Sequence, residues 1–217
     1  MEQGHFPTDG FADVLGANKE YVANFKYSEL TGRAAKGLAI VTCMDSRINP
    51  LSVGGMRSGD AKILRNAGAR VTDDVLRTLV LATYLLGVNR ILVMPHTDCR
   101  MANETEEELH AHIDREHGVD TRALEFKTVK DQKAALAVDV QQIRSYPLIR
   151  EGVIVGGAIY DVKTGSITNG RLAIVPGASH AVIKEKTDLV QALLKDFYAH
   201  PDYPLTKDPI SRINNLN

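Results

Sequence analysis

The sequence predicts an α/β fold with a mostly parallel sheet covered by helices on both faces. Two patterns carry that prediction. Apolar runs at 38–43 (LAIVTC), 62–64 (KIL), 90–95 (RILVMP) and 152–160 (GVIVGGAIY) have the length and continuity of strands buried on both faces. Amphipathic segments with recognisable helix starts and stops lie between and around these runs. A length of 217 residues with 44% hydrophobic content suits a single domain with a full core.

Taken in order, Phe11, Val14, Leu15, Val22 and Phe25 recur at helical spacing and predict an N-terminal amphipathic helix. LAIVTC is the first strand, and Lys62 to Leu64 the second, running into RNAG as a tight turn. Thr72 is placed to cap a helix whose first turn carries Asp73 and Asp74 and which Gly87 closes. RILVMP is the third strand. Thr105 and Glu108 have capping-box spacing, which predicts a helix running to Gly118. Val129, Leu136, Val140 and Ile143 mark another helix, stopped by Pro147. GVIVGGAIY is the fourth strand and DVKTGS a turn. Val182, Ile183, Leu189, Val190, Leu193 and Phe197 predict a last amphipathic helix before Pro201. No repeat and no second domain boundary is visible. The expected organisation is one domain over 1–217, with an N-terminal helical arm at about 9–27 and a C-terminal helical extension at about 172–217.

A formal net charge of −1 argues against nucleic acid or an anionic membrane as partner, because both call for a basic excess. No run approaches the length needed to cross a bilayer; the longest candidate, Thr78 to Leu86, stops at Gly87. The opening MEQGHFPTDG has no charged-then-apolar signal, and a cytoplasmic protein is expected. Of the only two cysteines, Cys43 and Cys99, one disulfide is conceivable, but a large domain of this kind has little need of it.

Both cysteines instead fall in polar motifs that end strands. The first strand runs into Cys43-Met44-Asp45-Ser46-Arg47, and the third into His96-Thr97-Asp98-Cys99. In parallel sheets ligands bind beyond the carboxyl ends of the strands. If the two strands are neighbours, their tips bring together two sulfurs and an imidazole. Such a set suits zinc, and three protein ligands leave a fourth position open, as in catalytic sites. Two buried inert cysteines and a satisfied histidine are the bland alternative. Asp45 and Arg47 could be a mere surface ion pair. Beside a metal, Asp45 could orient zinc-bound water or occupy the fourth position itself, with Arg47 deciding between the two. Two thiolates neutralise the zinc charge, so bound water should be less acidic than at a three-histidine site, and activity should favour neutral to alkaline pH.

CMDSR at 43–47, RNAG at 65–68 and HTDC at 96–99, in this order and spacing, resemble the β-class carbonic anhydrases. GDAKILRNAG (59–68) and GAIYDVKTG (157–165) extend the likeness over roughly residues 10–170. The resemblance implies four parallel strands with an added antiparallel edge strand, and a homodimer or homotetramer with active sites near the subunit interface. It implies one zinc ion per subunit held by Cys43, His96 and Cys99, a catalytic dyad of Asp45 and Arg47, and a turn shaped by Asn66 and Gly68. The implied reaction is hydration of carbon dioxide to bicarbonate by zinc-hydroxide chemistry. Two departures stand out. Arg100 follows the second cysteine where the family usually has glycine; it would alter the pocket mouth or bind anions, or else point to solvent. The chain also runs past the compact members of the family.

Hydrolysis of carbonyl sulfide or carbon disulfide needs the same ligands and is the nearest rival, since those substrates are also small and linear. A non-catalytic zinc-binding protein is a further alternative, with Asp45 as fourth ligand. The lack of GxGxxG after any predicted strand argues against a dehydrogenase using the same zinc ligand set, and neither GxSxG nor a P-loop occurs. His110, His112 and His117 fall on one predicted helix and are expected to form a solvated face rather than a proton relay.

Overall fold

The computed structural model describes residues 6–169. In chain order these form α1 (Ala12–Ala23), β1 (Leu38–Cys43), α2 (Pro50–Val53), β2 (Ala61–Asn66), α3 (Asp73–Leu85), β3 (Arg90–Met94), α4 (Arg100–Asn103), α5 (Glu106–His117), α6 (Gln132–Ser145), β4 (Ile154–Tyr160) and β5 (Ile167–Asn169). The helix expected around Val182–Phe197, and with it the C-terminal extension, lies outside the described residues.

The strands form one sheet in the order β2-β1-β3-β4-β5. The first four are parallel, and β5 pairs antiparallel with β4, from Ala158 opposite Asn169 to Tyr160 opposite Ile167. The chain steps from β1 to one neighbour, β2, and then returns to the other side of β1 as β3. The carboxyl ends of β1 and β3 therefore flank the switch point, where such sheets leave a crevice.

Backbone periodicity sorts the core into two layers. Ala39 and Val41 of β1 and Ile91 and Val93 of β3 face a layer closed by Leu76, Leu79 and Ala82 of α3 and by Leu136, Val140 and Ile143 of α6. Gly157 lets α6 approach β4, since a Cβ there would lie 2.9 Å from side-chain atoms of both Leu136 and Val140. Ile40 and Met94 face the other layer, with Cys43, Ile48, Cys99 and Met101. Among the described residues this second layer is covered by short α2 and α4 and the segment holding Phe126, not by long helices.

Several local signals act as expected. Thr72 accepts from the Val75 N–H, Thr105 and Glu108 form both bonds of a capping box, and Gly118 closes α5 with φ +66°. Two expectations change. α6 begins at Gln132, with Asp131 accepting from the N–H groups of Lys133 and Ala134; Val129 precedes the helix and donates its N–H to the Met101 carbonyl. Helix α1 forms, but none of its residues is buried, so its apolar side finds no partner among the described residues.

Candidate metal centre

β1 and β3 are in register so that Thr42 lies opposite Met94, the last pair between the two strands. Cys43 ends β1 opposite Asn66 of β2. His96 follows β3 by two residues and makes an isolated parallel bridge to Tyr160, with the Thr97 N–H donating to the Tyr160 carbonyl at 2.9 Å. Cys99 sits one residue before α4. The outcome is that Cys43, His96 and Cys99, all buried, place one ligand atom each within 4.8 Å of one another. Both cysteines are free thiols.

The donor chemistry fits a soft or borderline cation. His96 Nδ1 lies 2.8 Å from the Thr97 carbonyl, which can only accept, so the ring proton belongs on Nδ1. Nε2 then carries the lone pair; it is buried and has no hydrogen-bond partner among the described residues. A buried lone pair beside two sulfurs is costly unless something binds it, and Zn²⁺ is the ion that two thiolates and one imidazole suit. The thiols titrate as a pair. Donation from Cys99 holds Cys43 low against its burial, helped by the neighbouring His96 ring and then by the N–H groups of Gly68 and Asp45, while the same bond and burial push Cys99 up. With no cation between them the pair keeps one proton; a divalent ion displaces it.

Asp45 stands beside this cluster, with Oδ2 3.7 Å from His96 Nε2. Its side chain first closes a tight turn by accepting the Arg47 N–H at 2.8 Å. The Arg47 guanidinium then grips the carboxylate with two bonds, Nε to Oδ1 at 3.0 Å and Nη2 to Oδ2 at 2.7 Å. These bonds hold the Asp45 carboxyl well below the usual carboxylate range, overcoming the desolvation that opposes ionisation. Arg47 is gripped in turn by Asp98, whose Oδ2 accepts from Nη1 at 2.8 Å and whose carbonyl accepts from Nη2 at 3.1 Å.

Around this core lie residues that set backbone positions. Asn66 makes reciprocal bonds with Arg70, Nδ2 to the carbonyl at 2.7 Å and Oδ1 from the N–H at 2.9 Å, which fixes the turn carrying Gly68. Gly68 has φ +76°, and a Cβ there would come within 3.1 Å of Met101 Cβ, so the turn packs against the helix that follows Cys99. Arg65 donates to the carbonyls of Cys43 and Asp45. Gln132 Nε2 donates to the His96 carbonyl at 2.7 Å. Sequence reasoning missed Arg65, Asp98 and Gln132 in these roles. Arg65 and Asp98 sit inside the quoted motifs, but nothing around Gln132 marks it.

The Arg100 side chain is exposed and pairs with Glu104 at 2.8 Å. His110 also lies apart from a solvent face: Nδ1 is 2.8 Å from Thr121 Oγ1 and its ring packs 5.2 Å from Phe126. It ties α5 to the following segment, while His117 at the helix end is exposed.

Residues 38–167 match the family model described as carbonic anhydrase. The chain belongs to the carbonic anhydrase family. Beta-carbonic anhydrase 1 of Mycobacterium tuberculosis is 32% identical over 155 residues, covering 71% of this chain and 94% of that one. The crystal structure of carbonic anhydrase from Streptococcus mutans superposes with a TM-score of 0.70 at 38% identity, over 77% of this chain and all of that one (100%). A carbon disulfide hydrolase of Saccharolobus solfataricus is 32% identical over 151 residues, 58% of this chain and 74% of that one. The relatives thus include enzymes named as a carbonic anhydrase and as a carbon disulfide hydrolase.

Proposed function

We propose that the protein is a zinc-dependent lyase that interconverts carbon dioxide and bicarbonate. The observation that carries this reading is the convergence of Cys43, His96 and Cys99 within 4.8 Å, with the Asp45 carboxylate 3.7 Å from the free His96 nitrogen. Cys43, His96 and Cys99 hold the metal, one ion per subunit. Zinc in such a site would acidify water and so supply a nucleophile at neutral to alkaline pH.

The protein's own groups supply orientation. The Thr97 carbonyl holds the proton on His96 Nδ1 and so aims Nε2 inward. Asp45, kept ionised by Arg47, is an acceptor only. With zinc bound, it would accept a hydrogen bond from the nucleophile that the metal supplies and so orient it toward the substrate carbon. Ile48, Met94 and Met101 form the apolar layer in which the thiols sit, which limits water around a neutral linear substrate. The balance is one carbon dioxide and one water giving bicarbonate and a proton that passes to solvent.

A second reading uses the same residues. The carbon disulfide hydrolase relative at 32% identity supports hydrolysis of carbonyl sulfide or carbon disulfide, with hydrogen sulfide as product. Zinc-loaded protein tested by stopped-flow for carbon dioxide hydration and in parallel for sulfide release decides between them. Fast hydration with negligible sulfide release supports the lyase, the reverse supports the hydrolase, and neither activity overturns both.

Two broader assignments accompany this function. A homodimer, alone or paired into a tetramer, is supported by the exposed apolar side chains of the arm, Phe11, Val14, Leu15, Val22 and Phe25. A cytoplasmic location is supported by two free thiols, which suit a reducing compartment; no described helix is long and apolar enough to cross a membrane.

A further inference from the structure

We propose that Asp98 is a positioning residue that holds Arg47 against Asp45 and thereby keeps Asp45 out of the fourth metal position. The inference rests on the zinc-site reading above and assigns a role to a residue lying between two ligands.

Asp45 has two competing demands on its charge. Its Oδ2 is 3.7 Å from His96 Nε2, so a small rotation would carry a carboxylate oxygen to an ion held there. What opposes that rotation is the two-bond grip of Arg47, one bond of which falls on the same Oδ2 at 2.7 Å. Arg47 is a long side chain with 46% of its surface exposed, so alone it would have other poses available. Asp98 removes that freedom. It contacts the adjoining edge of the guanidinium through both a side-chain and a main-chain oxygen, 2.8 and 3.1 Å from Nη1 and Nη2.

The backbone favours this arrangement. Asp98 has φ +54°, a left-handed conformation that few side chains accept, aspartate being one of the exceptions. With this backbone, carbonyl and carboxylate both meet the one guanidinium. The Asp98–Arg47 contact is open to solvent, and such pairs contribute little to stability. Its effect is therefore expected on the pose of Arg47, not on whether the chain folds.

The test uses full-length protein loaded with Co²⁺, whose visible spectrum reports coordination, titrated with azide as an anion that needs the open position. Asp98→Gly keeps the positive φ without strain and removes the carboxylate. Asp98→Asn keeps an acceptor and tolerates the same backbone. Loss of a nearby negative charge alone would tighten azide binding. Release of Asp45 onto the metal predicts the opposite: azide affinity falling about tenfold in Asp98→Gly and less in Asp98→Asn. In an Asp45→Ala background, where no carboxylate can block the position, Asp98→Gly should leave azide affinity equal or tighter.

Unchanged or tighter azide binding in Asp98→Gly alone overturns the proposal. So does a loss that persists in the Asp45→Ala background, which would make Asp98 merely structural. Wild-type protein that takes up no cobalt overturns the metal-site reading itself, an outcome distinct from the other two.

Discussion

Arg47 commits four of its five N–H groups to carboxylate and carbonyl oxygens of Asp45 and Asp98. The charge state of Asp45 is consequently insensitive to pH where the enzyme works. A carboxyl whose folded pKa is depressed contributes stability that is present above its ordinary pKa and is lost only as pH falls through the lowered value. The Asp45–Arg47 pair should therefore persist throughout the neutral and mildly acidic range. Any change of rate from about pH 6 to about pH 9 must arise at the metal, and the thiolate-rich ligand set predicts that kcat rises across it. Stopped-flow rates over that range check this, and a flat profile counts against it. Replacing Asp45 by Ala should lower kcat about 10²–10⁴-fold with zinc still bound. Metal analysis beside kinetics distinguishes this from a structural Asp45, whose removal would release the ion.

At the scale of elements, the links between segments are ionic as well as apolar. Asp139 of α6 is 3% exposed and takes two bonds from Arg70, Nε at 2.8 Å and Nη2 at 3.2 Å, while Arg70 Nη1 also reaches the Lys127 carbonyl. Removing one partner of such a pair strands the other charge. Asp139→Ala should cost about 3–5 kcal/mol in urea unfolding. Because Arg70 is also bonded to Asn66, the variant should loosen the turn beside Cys43 as well. Little of this is written locally in the chain. β1 was legible to its limits because Leu38–Cys43 is an apolar run interrupted only by Thr42, and α3 and α5 were legible because caps act within one turn. The start of α6 was not, since Val129 continues the helical spacing yet is held by a carbonyl far away in sequence, on Met101. The three metal-ligand candidates and the Asp45–Arg47 pair were legible because both motifs end strands. The clamp by Asp98 and the strut from Gln132 were not, because each depends on a partner that only the sheet brings near.

For the whole molecule, the arm is the feature left without a partner among the described residues. Its apolar side chains flank a helix without one buried residue, and the homo-oligomer proposed above would cover them with a second copy. Sedimentation at micromolar concentration should report a dimer or larger. Val22→Glu with Phe25→Glu should shift it toward monomer, and an unchanged mass would place the interface elsewhere.

The strand order also bears on when the site comes into being during folding. Cys43 and Cys99 are separated by β2 and α3, and β3 reaches β1 only after the chain has doubled back across the sheet. Gln132, which braces the His96 carbonyl, belongs to a helix later still. Such a centre cannot nucleate its own fold, unlike small domains whose ligands lie a few residues apart. Metal should then bind after the rate-limiting step of folding. Added zinc should slow unfolding and leave the refolding limb of the chevron unmoved, whereas faster refolding would mean that the strand tips meet early.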